Sequence, residues 1–120
     1  MNRTLDHINL KVPNLEQSIA FFTEHMGFVV TERFKQGMEF VFLSDGNVTY
    51  ELLEDQTLQG AIIDHLAYVS EDIQKDYAYY EALGMTTTSI SCVDFLFENG
   101  VEYFFIQGKG NEKIEFCMKR

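Results

Sequence analysis

Basic residues are scarce in this chain of 120 residues: 9 Lys and Arg stand against 19 Asp and Glu, a formal charge of −10. A surface of that sign repels phosphate backbones and anionic headgroups. Nucleic acid and membranes are therefore not expected as partners, and a neutral or cationic small molecule is easier to accept. Cysteine is almost missing. Cys92 and Cys117 have no paired-spacing motif, so they read as two ordinary reduced thiols rather than a disulfide framework. No basic segment followed by an apolar stretch opens the chain, and no apolar run approaches membrane-spanning length, which makes the cytoplasm the expected location. The length is too small for two independent domains of ordinary size. With 46% hydrophobic residues, one domain over 1–120 with one modest core is expected.

What the chain does have is a repeat. His65 follows His7 by 58 residues, and the same spacing relates Leu15 to Ile73, Ile19 to Tyr77, Ala20 to Ala78, Phe21 to Tyr79 and Phe22 to Tyr80. Apolar positions recurring at one period mark duplicated supersecondary units. Glu51 and Glu115 extend the pattern at a spacing of 64, which places extra residues in a second-half loop. The result is an ordered His7, Glu51, His65, Glu115 series. Imidazole nitrogen with carboxylate oxygen suits one divalent ion of zinc, nickel, cobalt, iron or manganese better than calcium, which prefers oxygen alone.

Periodicity predicts two βαβββ modules, about 4–54 and 61–119, joined by a connector at 55–60 that lacks an apolar pattern. Leu5 to Val12 alternates, with Ile8, Leu10 and Val12 on one face and His7, Asn9 and Lys11 on the other. The only proline, Pro13, stops this strand, and Asn14 is the expected N-cap of a helix carrying Leu15, Ile19, Phe22 and Met26 up to Gly27. Phe28 to Phe34, Met38 to Leu43 and Val48 to Leu53 read as strands, with a turn at Ser44, Asp45, Gly46 and Asn47. In the second module Ile62 to Val69 is the first strand, and a helix from about Glu71 to Leu83 is capped by Ser70. Met85 to Cys92, Val101 to Gln107 and Glu112 to Met118 follow as strands, while Asp94 to Gly100 fits no pattern. Strand parity sets Glu51 opposite Val48, Tyr50 and Leu52, and Glu115 opposite Ile114, Phe116 and Met118. If those apolar triplets pack beneath the helices, the carboxylates and His7 look the other way, and His65 shares its face with Ala67 and Val69. His25, near the end of the first helix, reads as a surface residue suited to the helix dipole. Phe40, Phe42, Phe95, Phe97 and Phe104 include candidates for pocket walls.

Asp6 to Val12, Leu15 to Phe22 and Met26 to Phe28, repeated by Ile63 to Val69 and closed by Gly108 to Phe116, resemble the vicinal oxygen chelate superfamily over nearly the whole chain. That superfamily includes glyoxalase I, bleomycin-resistance proteins and ring-cleaving dioxygenases. The resemblance implies an α+β fold of two tandem βαβββ modules forming a curved mixed sheet with helices on its outer face. It also implies a homodimer, which would hide sheet edges across a two-fold axis. The activity implied is that of a metal-dependent lyase or isomerase of the lactoylglutathione lyase type, acting on a small vicinal-dioxygen substrate. The metal would stabilise an enediolate or alkoxide, and Glu115 or Glu51 would act as base. Two other readings belong to the same superfamily. One is a thiol transferase or hydrolase of the fosfomycin-resistance type, or a ring-cleaving dioxygenase, in which two histidines and one glutamate generally suffice. The other is a non-catalytic drug-binding protein of the bleomycin-resistance type, which usually lacks the metal residues. The sequence departs from glutathione-using glyoxalases at Lys11, where Arg is common, at Asp55, where Asn is common, and in the Gly108 to Asn111 turn.

Overall fold

In the first unit, local sequence signals set the elements. Strand β1 (Leu5–Val12) ends at Pro13, where Asn14 takes an extended conformation and its Oδ1 accepts from the Gln17 N–H at 3.0 Å. That acceptor satisfies one of the orphan donors of helix α1 (Leu15–His25). The helix ends at Met26. Gly27 there has φ +74, a left-handed conformation with little penalty only for glycine, and it lets Phe28 N–H return to Phe22 O at 3.1 Å. Strands β2 (Val29–Gln36), β3 (Met38–Ser44) and β4 (Thr49–Glu54) follow as an antiparallel meander, and β4 pairs in parallel with β1. The β3–β4 turn closes on Asp45, whose Oδ1 accepts from the Asn47 and Val48 N–H groups; these bonds hold the carboxyl below its ordinary range.

The structure is a computed structural model and describes residues 2–120. Its contacts group into two compact units, His7–Asp64 on the one hand and His65–Arg120 with the residues up to Asp6 on the other. In His7–Asp64, Leu15 and Ile19 of α1 bury against Val12, Val41, Leu43 and Leu52, with Leu10, Phe22, Val48 and Tyr50 at the margin. The alternation read from the sequence thus puts Leu10 and Val12 on the helix side.

The second unit repeats the plan with strand β5 (Ile62–Val69), whose first three residues group with the first unit, helix α2 (Ile73–Ala82), and strands β6 (Ser91–Val93), β7 (Val101–Gln107) and β8 (Lys113–Lys119). β5 pairs in parallel with β8, and β8–β7–β6 is antiparallel. Its core joins Ile73 to Phe104, Ile106 and Phe116. Phe116 stacks on Tyr80 and Phe104, with ring centroids 5.0 and 5.4 Å away. The fold class expected from the sequence, α+β with two tandem βαβββ modules, is the one present.

Two local expectations are corrected. Helix α2 is capped by Asp72, which accepts from Lys75 N–H at 3.1 Å, and not by Ser70. Ser70 is engaged elsewhere: its hydroxyl donates to Asp76 Oδ2 at 2.6 Å and its N–H to Cys117 O at 2.8 Å. The strand expected over Met85 to Cys92 is reduced to an isolated bridge between Thr86 and Ile106 and to the three residues of β6. Between them, threonine hydroxyls replace ladder groups: Thr88 Oγ1 accepts from Phe105 N–H at 2.9 Å.

Candidate metal centre

In His7–Asp64, β1 and β4 carry His7 and Glu51 on the face opposite the α1 core. The parallel register sets Asn9 directly across from Glu51, and the antiparallel register of β3 sets Phe42 across from the same residue. His7 Nε2 lies 3.5 Å from Glu51 Oε1. Asn9 Nδ2 donates to that oxygen at 2.8 Å. The His7 ring meets Phe42 in a T-shaped contact, centroids 5.4 Å apart, which fixes the imidazole plane.

The second unit builds the same arrangement from β5, β7 and β8. His65 Nε2 lies 3.0 Å from Glu115 Oε1, and His65 meets Phe105 at 5.0 Å and 89°. Phe105 is the register partner of Glu115, as Phe42 is of Glu51. The other register partner of Glu115 is Ala67, on the parallel strand.

The structure therefore brings the four sequence-predicted residues together as two pairs, His7 with Glu51 and His65 with Glu115, all 4–9% exposed. Burying carboxylates costs free energy unless hydrogen bonds or a cation offset it. Imidazole nitrogen beside carboxylate oxygen is also the donor chemistry of borderline divalent ions. Each pair thus offers the donor chemistry of a divalent metal, an imidazole nitrogen beside a carboxylate oxygen.

Other predicted residues fall outside the pairs. His25 is exposed in the last turn of α1, its ring 6.2 Å from Phe21. Lys11 Nζ pairs with Asp64 Oδ1 at 3.1 Å. Asp55 folds back on Thr57, accepting from both its hydroxyl and its N–H; these bonds, with Lys11 nearby, keep the carboxyl below its usual range. Of the phenylalanines, Phe42 lines the first pair, but Phe104 is a core residue on the opposite face. Phe40 stacks on Phe34, and Phe95 is exposed. Lys119 Nζ lies 4.3 Å from the centre of the Phe97 ring. Sequence reasoning missed two residues. Phe105 differs from Phe104 only in parity, which the register of β7 against β8 resolves; Asn9 shares the His7 face and was visible there by alternation alone. Cys117 is buried, and desolvation, reinforced by the nearby Asp6 and Glu115 carboxylates, pushes its thiol up.

The chain is similar to known proteins in sequence and in fold. A sequence model of the Glyoxalase/Bleomycin resistance protein/Dioxygenase superfamily matches residues 4–90. An uncharacterized protein of Bacillus subtilis (strain 168), YwbC, is 29% identical over 99% of this chain and 100% of its own. Among solved structures, a hypothetical protein from Bacillus halodurans C-125 superposes with a TM-score of 0.82 at 20% identity, over 100% of this chain and 96% of that one. Methylmalonyl-CoA epimerase from Streptomyces coelicolor, in complex with 2-nitronate-propionyl-CoA, gives 0.80 at 20% identity, over 98% and 99%. The Mycobacterium tuberculosis methylmalonyl-CoA epimerase gives 0.75 at 18%, over 98% and 88%. At these identities the structural likeness establishes the fold.

Proposed function

Because the chain belongs to the Glyoxalase/Bleomycin resistance protein/Dioxygenase superfamily, we propose that it is a metal-dependent isomerase or lyase that moves a proton next to a carbonyl of a small vicinal-dioxygen substrate. His7, Glu51, His65 and Glu115 would hold one divalent ion. When bound, that ion supplies Lewis-acid stabilisation of the negative charge developing on two neighbouring substrate oxygens. The observation that carries this reading is the twofold occurrence of a buried imidazole beside a buried carboxylate, each held against an aromatic ring.

The chain's own residues have distinct tasks. The histidines offer neutral nitrogen and keep their orientation through Phe42 and Phe105, which also cover the site with apolar surface and limit water. Glu115 or Glu51 accepts the proton from the carbon next to the carbonyl and returns it to the neighbouring position. The four-residue set favours this chemistry over readings that need only two histidines and one glutamate. Resemblance in fold to methylmalonyl-CoA epimerases supports proton transfer at an acyl group and adds CoA thioesters to the 2-oxo acyl compounds and thiol adducts as substrate candidates. Glutathione is disfavoured, because Lys11 is already paired with Asp64 and the anionic Asp55 stands where an amide is common in glutathione-using enzymes. The enzyme acts as a cytoplasmic homodimer, so light scattering should give twice the 13.9 kDa chain mass at all working concentrations; a persistent monomer would count against that assembly.

The deciding experiment is metal analysis of protein purified without chelator, followed by solvent-deuterium exchange with the metal restored. The panel holds methylglyoxal adducts of glutathione and of other thiols, 2-oxo acyl compounds and methylmalonyl-CoA. We expect one metal per chain and deuterium entering a non-glutathione substrate. Rapid turnover of the glutathione adduct would overturn the specificity, and exchange into none of the panel would overturn the chemistry.

A further inference from the structure

The two pairs are built alike except at one place. Ala67 follows Asn9 by the same 58 residues that separate His7 from His65, and both occupy the same register position, directly across a parallel strand pair from the carboxylate. Both are fully buried, at 0% exposure. Asn9 gives Glu51 a side-chain hydrogen bond; Ala67 has no side-chain donor to give Glu115.

A buried amide is costly to keep unless its polar atoms are used. Asn9 uses Nδ2 on Glu51 Oε1 at 2.8 Å, while its Oδ1 has no hydrogen-bond partner among the described residues. The position itself does not demand an amide, since the equivalent place in the repeat is filled by alanine. A half-satisfied, fully buried asparagine is thus explained by the one bond it makes, to a carboxylate. That bond fixes the carboxylate plane.

We propose that Asn9 is a positioning residue for metal binding, acting through Glu51, so that Glu51 is the pre-oriented carboxylate of the two. The assignment rests on the metal reading above. It makes the two glutamates chemically unequal although the repeat makes them look equivalent. It also places part of the metal affinity in a residue that acts through the Glu51 carboxylate.

The test is a double-mutant cycle read by zinc affinity, from competition with a chromophoric chelator, and by the visible spectrum of the cobalt-loaded protein. Asn9→Leu keeps the branched shape, at a larger volume, and removes the amide; Asn9→Ala is the second variant. Each should weaken zinc binding about tenfold, the lower end of what outer-shell partners contribute, and alter the cobalt spectrum, while the metal-free protein still folds with its melting lowered by loss of the buried hydrogen bond. In a Glu51→Ala background, where three donors remain, the same substitutions should cost nothing further. A tenfold loss that persists in that background would overturn the assignment, as would wild-type affinity in either Asn9 variant. Failure of both variants to fold would make Asn9 structural and overturn it equally. Absence of metal binding by the wild-type protein would instead overturn the proposed function, and this assignment with it.

Discussion

His65 Nε2 stands 3.0 Å from Glu115 Oε1, closer than the 3.5 Å between His7 Nε2 and Glu51 Oε1. Neither distance is that of two groups held apart by water. Each pair already has its nitrogen and oxygen donors side by side before any ion is considered, which lowers the ordering that binding would require.

Loss of the imidazoles should therefore remove the metal. The double variant His7→Ala, His65→Ala is expected to bind zinc roughly 100-fold or more weakly, because water replaces a neutral nitrogen donor poorly. Elemental analysis after dialysis reads this directly, and stoichiometric metal surviving in the double variant would refute the ligand set.

The glutamates can be told apart by separating turnover from affinity. Replacement of the base by Gln should slow solvent-deuterium exchange about 10²–10⁴-fold with a smaller effect on metal binding. Glu51→Gln and Glu115→Gln are compared side by side, and whichever shows that split identifies the base. Parallel loss of affinity and turnover at both positions would refute a proton-transfer role for either.

Acid should weaken the unit that holds α2. Burial alone would raise the Asp76 carboxyl, but hydrogen bonds from Arg3, at 2.9 and 3.0 Å, and from Ser70 outweigh it and hold the group below its ordinary value of 3.8. A depressed folded-state value means the stabilisation is fully present above the unfolded value and is lost as pH falls through the folded one. Asp76→Asn should cost about 1.5–3 kcal/mol at pH 7, and the difference from wild type should shrink below about pH 4. Urea unfolding at pH 7 and pH 3 measures both; an unchanged difference between the two would contradict this account.

The cysteines should react unequally. Cys92 is exposed and Cys117 is buried, so a thiol reagent should label one site per chain in the native protein and two after denaturation. Labelling of Cys92 should be slow at neutral pH, because its hydrogen bond to the Asp94 carboxylate pushes the thiol up, and Asp94→Ala should speed it. Two labels on native protein, read by mass spectrometry, would contradict the burial of Cys117.

The parts of the fold that were legible in the sequence are those fixed by local chemistry and by the repeat. Alternation in Leu5 to Val12 assigns His7 and Asn9 to a face, Asn14 caps α1 as its type predicts, and the 58-residue spacing aligns the second module on the first. Where tertiary partners compete, local signals fail. Ser70 has the chemistry of a cap, yet Asp76, itself gripped by Arg3 from 73 residues away, claims its hydroxyl and leaves the cap to Asp72. Thr86, Thr87 and Thr88 have the propensity of a strand, but pairing partly through side-chain hydroxyls breaks the ladder. The choice of Phe105 over Phe104 needs an inter-strand register, which no single-strand pattern contains.

The interrupted 85–93 segment matters for self-association in the crowded state. A terminal strand with a continuous row of backbone donors and acceptors is a template for a foreign strand. β6 offers only three residues of regular ladder, so an incoming strand finds no long register to copy. β2, the terminal strand of the other unit, is eight residues long and exposes Val29 and Val30, but its register shifts between Val30 and Glu32, and Glu32, Arg33 and Lys35 follow in quick succession. One repeat discourages fibril-like addition by brevity, and its sibling does so by a kink and by charge.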